Sequence, residues 1–119
     1  LGPRDDIPEI LSAIDIFCLH SKSEGFPNAL GEAMCLGLPC VATDVGDARI
    51  LLNNDSYLVP KQDPKKLSEK LLDLVNKSKG ERNNIGKEAS KQIKKNYSIE
   101  MISNKYSSLY LQLFNNEKI

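Results

Sequence analysis

The chain has 119 residues, 40% of them hydrophobic, enough for one core with little room for a second domain. Its 16 basic and 16 acidic residues cancel and Trp is absent, which argues against nucleic acid or another polyanion as partner.

Asp15 to His20 is a short apolar run, too short for a helix, and reads as a buried strand ending in the polar loop Ser21 to Gly25. After Pro27 the apolar residues Ala29, Leu30, Ala33, Met34 and Leu36 follow a helical period that Gly37-Leu-Pro39 stops. Pro39 to Thr43 is a second short strand and Tyr57 to Val59 a third, with a loop or short helix from about Asp47 to Leu52. Asp63 is a good N-cap and Pro64 suits the first helical position. Leu67, Leu71, Leu74 and Val75 make one stripe of a helix that runs to about Asn76, with Gly80 closing the connection. A polar helix with Ile85, Ala89 and Ile93 on its inner face follows. A last helix, capped by Ser98, carries Ile102, Tyr106, Leu109, Tyr110 and Leu113. Strands alternating with helices predict an α/β fold with a Rossmann-like parallel sheet and flanking helices. Three strands are few for a sheet of this class, which typically has about five or six, and the chain opens at Leu1 without a Met. The expectation is part of a larger protein.

Charge and cysteine usage add two constraints. Up to Pro60 there are three basic and nine acidic residues, and beyond it thirteen and seven. The basic second half reads as solvated helix faces, with contact to an anionic membrane surface as the alternative. Cys18, Cys35 and Cys40 are odd in number, sit in apolar segments and form no metal-ligand pattern, so they read as core residues of a protein from a reducing compartment. With no signal-like segment and no apolar run of the ~18 residues that span a bilayer, a cytoplasmic location is expected, with the inner face of the membrane as its outermost limit.

The chemistry concentrates in Ser21-Lys-Ser-Glu-Gly-Phe-Pro-Asn-Ala-Leu-Gly-Glu-Ala-Met34, which starts at the C-terminal end of the first strand, where parallel sheets bind ligands. Gly25 permits a tight turn or close approach, and a helix starting near Pro27 offers the N–H groups of Asn28, Ala29 and Leu30 to an anion such as a diphosphate. Glu24 before that site and Glu32 within the helix are acceptors suited to ribose and sugar hydroxyls rather than to phosphate. The competing readings are a helix-start carboxylate and a solvated helix residue. His20 reads as structural. Asp44, Asp47 and Arg49 are equally consistent with lining the cleft and with capping turns.

The phrase Ser-x-x-Glu-Gly-Phe-Pro-Asn-x-x-x-Glu-Ala-Met-x-x-Gly-x-Pro-x-Val after an Asp-Ile-Phe strand resembles the glycosyltransferase group 1 family of the GT-B fold. Members of that family are retaining enzymes that use nucleotide-sugar donors. Leu1-Gly2, Asp6-Ile-Pro8, Thr43-Asp-Val-Gly46, Leu58-Val-Pro60, Asp63-Pro64 and Tyr97-Ser98 extend the likeness over nearly the whole chain. The resemblance implies that residues 1–119 are the C-terminal, nucleotide-sugar-binding part of such an enzyme, with the acceptor domain outside the chain. It places Glu24, also the implied catalytic residue, at the donor sugar and Glu32 at the ribose. Gly25, Phe26, Pro27 and Asn28 then face sugar and diphosphate, and Leu30, beside Ala29, meets the nucleotide. Such enzymes need no metal or cofactor. The partners implied are a nucleoside-diphosphate sugar, uridine by family frequency, and a sugar or lipid-linked acceptor in bacterial polysaccharide or glycolipid synthesis. No residue matches the family's basic diphosphate-gripping pair, and Tyr57 stands where members often have Gly. The last helix is expected to pack its tyrosines against the acceptor domain, and in its absence the chain is expected to self-associate. The alternatives are a GT-B-fold epimerase or phosphorylase, or a stand-alone α/β nucleotide-binding or signalling module.

Overall fold

The computed structural model describes residues 4–116. Within them three strands and six α-helices alternate: α1 (Ile7–Ser12), β1 (Phe17–Leu19), α2 (Asn28–Cys35), β2 (Cys40–Thr43), α3 (Ala48–Leu52), β3 (Leu58–Val59), α4 (Pro64–Asn76), α5 (Lys79–Tyr97) and α6 (Ile99–Asn116). The sheet is parallel with order β1-β2-β3, in the register Phe17 to Cys40 and Ala42 to Leu58. The α/β, Rossmann-like reading holds.

Position in the sheet decides burial. β2 is central and all four of its residues are buried, whereas β1 is an edge strand on which only Leu19 is buried and Phe17 and Cys18 are half-covered. The third strand is shorter than expected, because Tyr57 closes a 3-10 turn at Asp55–Tyr57 and sends its hydroxyl to Asp73 at 3.2 Å. The apolar pattern gives no sign of α1, a single short turn of helix whose side Leu11 is buried.

The helix ends follow from local chemistry. α2 stops in a paired-bond C-cap: the Leu38 N–H donates to the Ala33 carbonyl at 3.1 Å and the Gly37 N–H to the Met34 carbonyl at 3.0 Å, with Gly37 at φ 76° where glycine carries no steric penalty. Asp63 caps α4 by accepting from the Lys66 N–H at 3.0 Å, and Pro64 opens the helix as expected. Two expectations fail nearby. Val75 is 57% exposed, since Leu67, Leu71 and Leu74 already fill the inner stripe and the next residue turns about 100° away. Gly80 does not close the connection but lies in the first turn of α5, which starts one residue earlier because Ser78 and Glu81 form a reciprocal capping box.

The core gathers Leu30, Met34, Val41, Leu51, Val59 and Leu74 between the sheet and α2 to α5. α5 lies across α2 at very close range: a Cβ on the buried Gly86 would fall 1.8 Å from the Gly37 carbonyl oxygen. α6 continues beyond this body. The radius of gyration is 16.9 Å, against roughly 13.5 Å for a compact chain of this length.

Candidate functional site

The loop of residues 20–27 leaves the C-terminal end of β1 and is held from two sides. Thr43, a buried polar residue at the end of β2, donates its hydroxyl to the Ser21 carbonyl at 2.8 Å. On the other side Gly46, at φ 50°, presses against the same loop, where a Cβ would fall 2.2 Å from the carbonyl oxygens of Glu24 and Gly25. The Asp47 N–H then donates to the Gly25 carbonyl at 3.0 Å. Glu24 is half-buried, and one carboxylate oxygen accepts from the Ser21 hydroxyl at 2.7 Å.

The start of α2 is built differently from the simple helix end expected. Pro27 sits at φ −79°, ψ 84°, which closes an inverse γ-turn between the Phe26 carbonyl and the Asn28 N–H at 3.0 Å. The Leu30 N–H turns back to the Pro27 carbonyl at 3.1 Å. Of the three expected anion donors, two are therefore engaged within the chain. The Ala29 N–H has no protein acceptor among the described residues. No side chain caps this end, so the positive end of the helix dipole is left to a ligand or solvent.

Asn28 and Glu32 are exposed and lie four residues apart on one face of α2. They line a mainly apolar cavity of about 660 Å³ with Arg4, Ile7 and Pro8 from the α1 region, Ile93 and Tyr97 from α5, and Ile102. Phe26 borders the same cavity, 49% exposed, its ring 6.2 Å from that of Tyr97 and tilted by 59°. Glu24 is not part of that lining. The two glutamates thus belong to different surroundings, Glu32 to the cavity and Glu24 to the loop above the sheet. Pro27 is buried, and the Leu30 side chain, at 0% exposure, belongs to the core.

The remaining candidates resolve as follows. His20 is exposed at the end of β1 and lines none of the described cavities. Arg49 binds Asp44 at 2.6 Å and Asp55 at 2.9 Å, so those three residues tie surface loops together, while Asp47 contributes its backbone N–H. Exposed ion pairs of this kind add little stability. The buried Cys40 thiol donates to the Leu38 carbonyl at 3.2 Å and burial pushes its pKa up to about 12, while Cys35 is exposed. Among the described residues no cluster of three or more His, Cys, Asp and Glu could hold a metal. No helix there is long and apolar enough to cross a membrane. A second cavity of about 560 Å³, between the end of α3 and α5, contains Asn53, Asn84, Gln92 and Lys95 but none of the motif residues.

Sequence reasoning quoted Ser21 and Thr43-Asp-Val-Gly46 as parts of the family likeness but gave Ser21, Thr43 and Gly46 no role in the site. A Thr closing an apolar strand and a Gly two residues past the following Asp were the signals available. Only the fold shows that both touch the Glu24 loop.

Residues 1–77 match the family described as Glycosyl transferases group 1. Over 118 residues the chain is 34% identical to the N,N'-diacetylbacillosaminyl-diphospho-undecaprenol alpha-1,3-N-acetylgalactosaminyltransferase of Campylobacter jejuni, covering 98% of this chain and 31% of that protein. It is 28% identical over 120 residues to the N-acetyl-alpha-D-glucosaminyl L-malate synthase of Bacillus anthracis, covering 99% of this chain and 31% of the relative. Its structure resembles that of sucrose-phosphate synthase from Thermosynechococcus elongatus with a TM-score of 0.78 and 26% identity, over 90% of this chain and 27% of the other. The chain spans less than a third of the length of these relatives.

Proposed function

The chain belongs to the group 1 glycosyl transferases, and from that premise we propose that it is the donor-binding, C-terminal part of a retaining GT-B glycosyltransferase. The donor is a nucleoside-diphosphate sugar, with uridine as the base. The acceptor is a sugar or lipid-linked sugar held by the other domain. The observation that carries this reading is the separation of the two glutamates. Glu32 lines an apolar cavity wide enough for a nucleoside, and Glu24 stands outside it on a braced loop beyond the open start of α2.

A nucleoside in the cavity has a carboxylate within its walls to accept the ribose hydroxyls. Its diphosphate then meets the free Ala29 N–H and the positive end of α2, which oppose the charge that develops as the anomeric carbon separates from the phosphate oxygen. The sugar, at the far end of the donor, comes to the Glu24 loop. Rate enhancement arises from holding donor and acceptor in register and from stabilising the leaving diphosphate.

One relative acts, by its name, on a diphospho-undecaprenol acceptor, which supports a place in bacterial polysaccharide or glycolipid assembly at the inner face of the membrane. In the whole protein the acceptor-side domain covers the apolar face of α6. Residues 1–119 alone bury that face against a second copy and turn over no donor, an outcome that light scattering and a transfer assay check directly.

The roles are tested in the full-length enzyme by titration calorimetry and turnover. Glu32→Ala removes a charged acceptor worth roughly 1.5–3 kcal/mol and weakens free uridine diphosphate and sugar donor alike. Glu24→Ala leaves uridine diphosphate binding unchanged and lowers turnover, because its contact exists only with the sugar present. Normal nucleotide binding by Glu32→Ala, or normal turnover by Glu24→Ala, overturns the assignment.

A further inference from the structure

We infer that Ser21 is a positioning residue for Glu24, held in its own place by Thr43, while Gly46 and Asp47 hold the backbone of Glu24 and Gly25. The inference rests on the role given to Glu24 above. The Ser21 hydroxyl donates to one oxygen of the Glu24 carboxylate at 2.7 Å, which leaves the other oxygen free for a donor hydroxyl. A glutamate side chain on a loop samples many rotamers, and ordering it at the moment of reaction costs rate. A hydrogen bond to its carboxylate sets the rotamer beforehand.

That service requires Ser21 and the backbone of Glu24 to be fixed, and one contact does each. Thr43, only 4% exposed and part of the fully buried β2, donates to the Ser21 carbonyl at 2.8 Å. Gly46 has no Cβ to collide with the carbonyls of Glu24 and Gly25, and the next N–H, of Asp47, binds the Gly25 carbonyl at 3.0 Å. The carboxylate is thereby referenced to the central, fully buried strand of the sheet through one side chain and one turn. The arrangement predicts that Ser21 acts through Glu24 and on nothing else.

The test uses the full-length enzyme, uridine diphosphate as binding probe, and whichever uridine-diphosphate sugar supports the fastest turnover in a donor panel. Ser21→Ala lowers kcat about tenfold while donor KM and the Kd for uridine diphosphate move by less than about twofold. Ser21→Thr, which keeps the hydroxyl, restores kcat. In a Glu24→Gln background the further change Ser21→Ala has no additional effect, because the group it positions is gone. An undiminished kcat in Ser21→Ala, or a tenfold loss that persists in the Glu24→Gln background, overturns the inference and leaves the reading of Glu24 intact. If Glu24→Gln itself turns over normally, that reading fails and the inference fails with it. Denaturation midpoints of the variants, equal to that of the parent, exclude loss of folding as the cause.

Discussion

α2 and α6 are both amphipathic on paper, and the structure treats them in opposite ways. α2 has eight residues and buries Leu30, Ala33 and Met34 completely, between the sheet on one side and α5 on the other. α6 has eighteen residues, yet Tyr106, Leu109, Tyr110, Leu111 and Leu113 are all between 48% and 68% exposed. Periodicity identifies a stripe that wants cover. It does not say whether the covering surface lies within the same stretch of chain. The stretch that matches the family description ends at residue 77, so α2 lies inside that stretch and α5 and α6 beyond it.

Substitutions on the two sides of this contrast should differ widely in effect. The largest difference is in reactivity on the packed side: with its pKa near 12, about one in ten thousand Cys40 thiols is ionised at pH 8, and it is shielded as well. Alkylation followed by mass spectrometry should therefore consume the exposed Cys35 while leaving Cys40 unlabelled until the protein is unfolded. Comparable labelling of both would show that the sheet opens far more readily than its packing implies.

Met34→Ala removes a side chain with no exposure and should lower unfolding free energy by about 2–5 kcal/mol in a denaturant titration. Gly86→Ala sharpens the comparison further. In an exposed helix it would add about 0.8–1 kcal/mol through helix propensity, but here its methyl meets the Gly37 carbonyl, so a net loss of about 1–3 kcal/mol is expected. A stabilised Gly86→Ala would mean that α5 and α2 do not meet as described.

Ser78→Ala removes one half of the capping box at the start of α5 and should cost about 1 kcal/mol by thermal or chemical denaturation. Glu81, the other half, has its pKa lowered by the Ser78 N–H and hydroxyl. A lowered folded pKa means that its contribution is present above the ordinary glutamate range and is lost as pH falls through the folded value. The difference between parent and Ser78→Ala should shrink in that acidic window. The smallest effect belongs to α6: Leu111→Ala, at a position 63% exposed, should change stability by no more than about 0.5 kcal/mol in residues 1–119 diluted until light scattering shows a monomer. A loss of several kcal/mol there would show that the face is already covered.

The sequence by itself determined the element order from β1 onward, the parallel α/β class, and the helix starts at Asp63 and Ser98, because capping and apolar period act over a few residues. It also located the loop and helix that carry Glu24 and Glu32, since a strand end, a glycine and a helix start are local signals. Local signals likewise existed for Ser78 and Glu81, whose spacing outweighs Gly80 as a stop. Only the tertiary structure decided the rest. That Leu30 faces the core, that Gly86 admits α2, and that Gly46 and Thr43 brace a loop some twenty residues away all depend on which segments the sheet brings together. The same holds for the expected donors at the start of α2, two of which are engaged by a turn whose geometry Pro27 sets only once the loop is closed. Such contacts follow from the geometry of packing, which no short run of residues encodes.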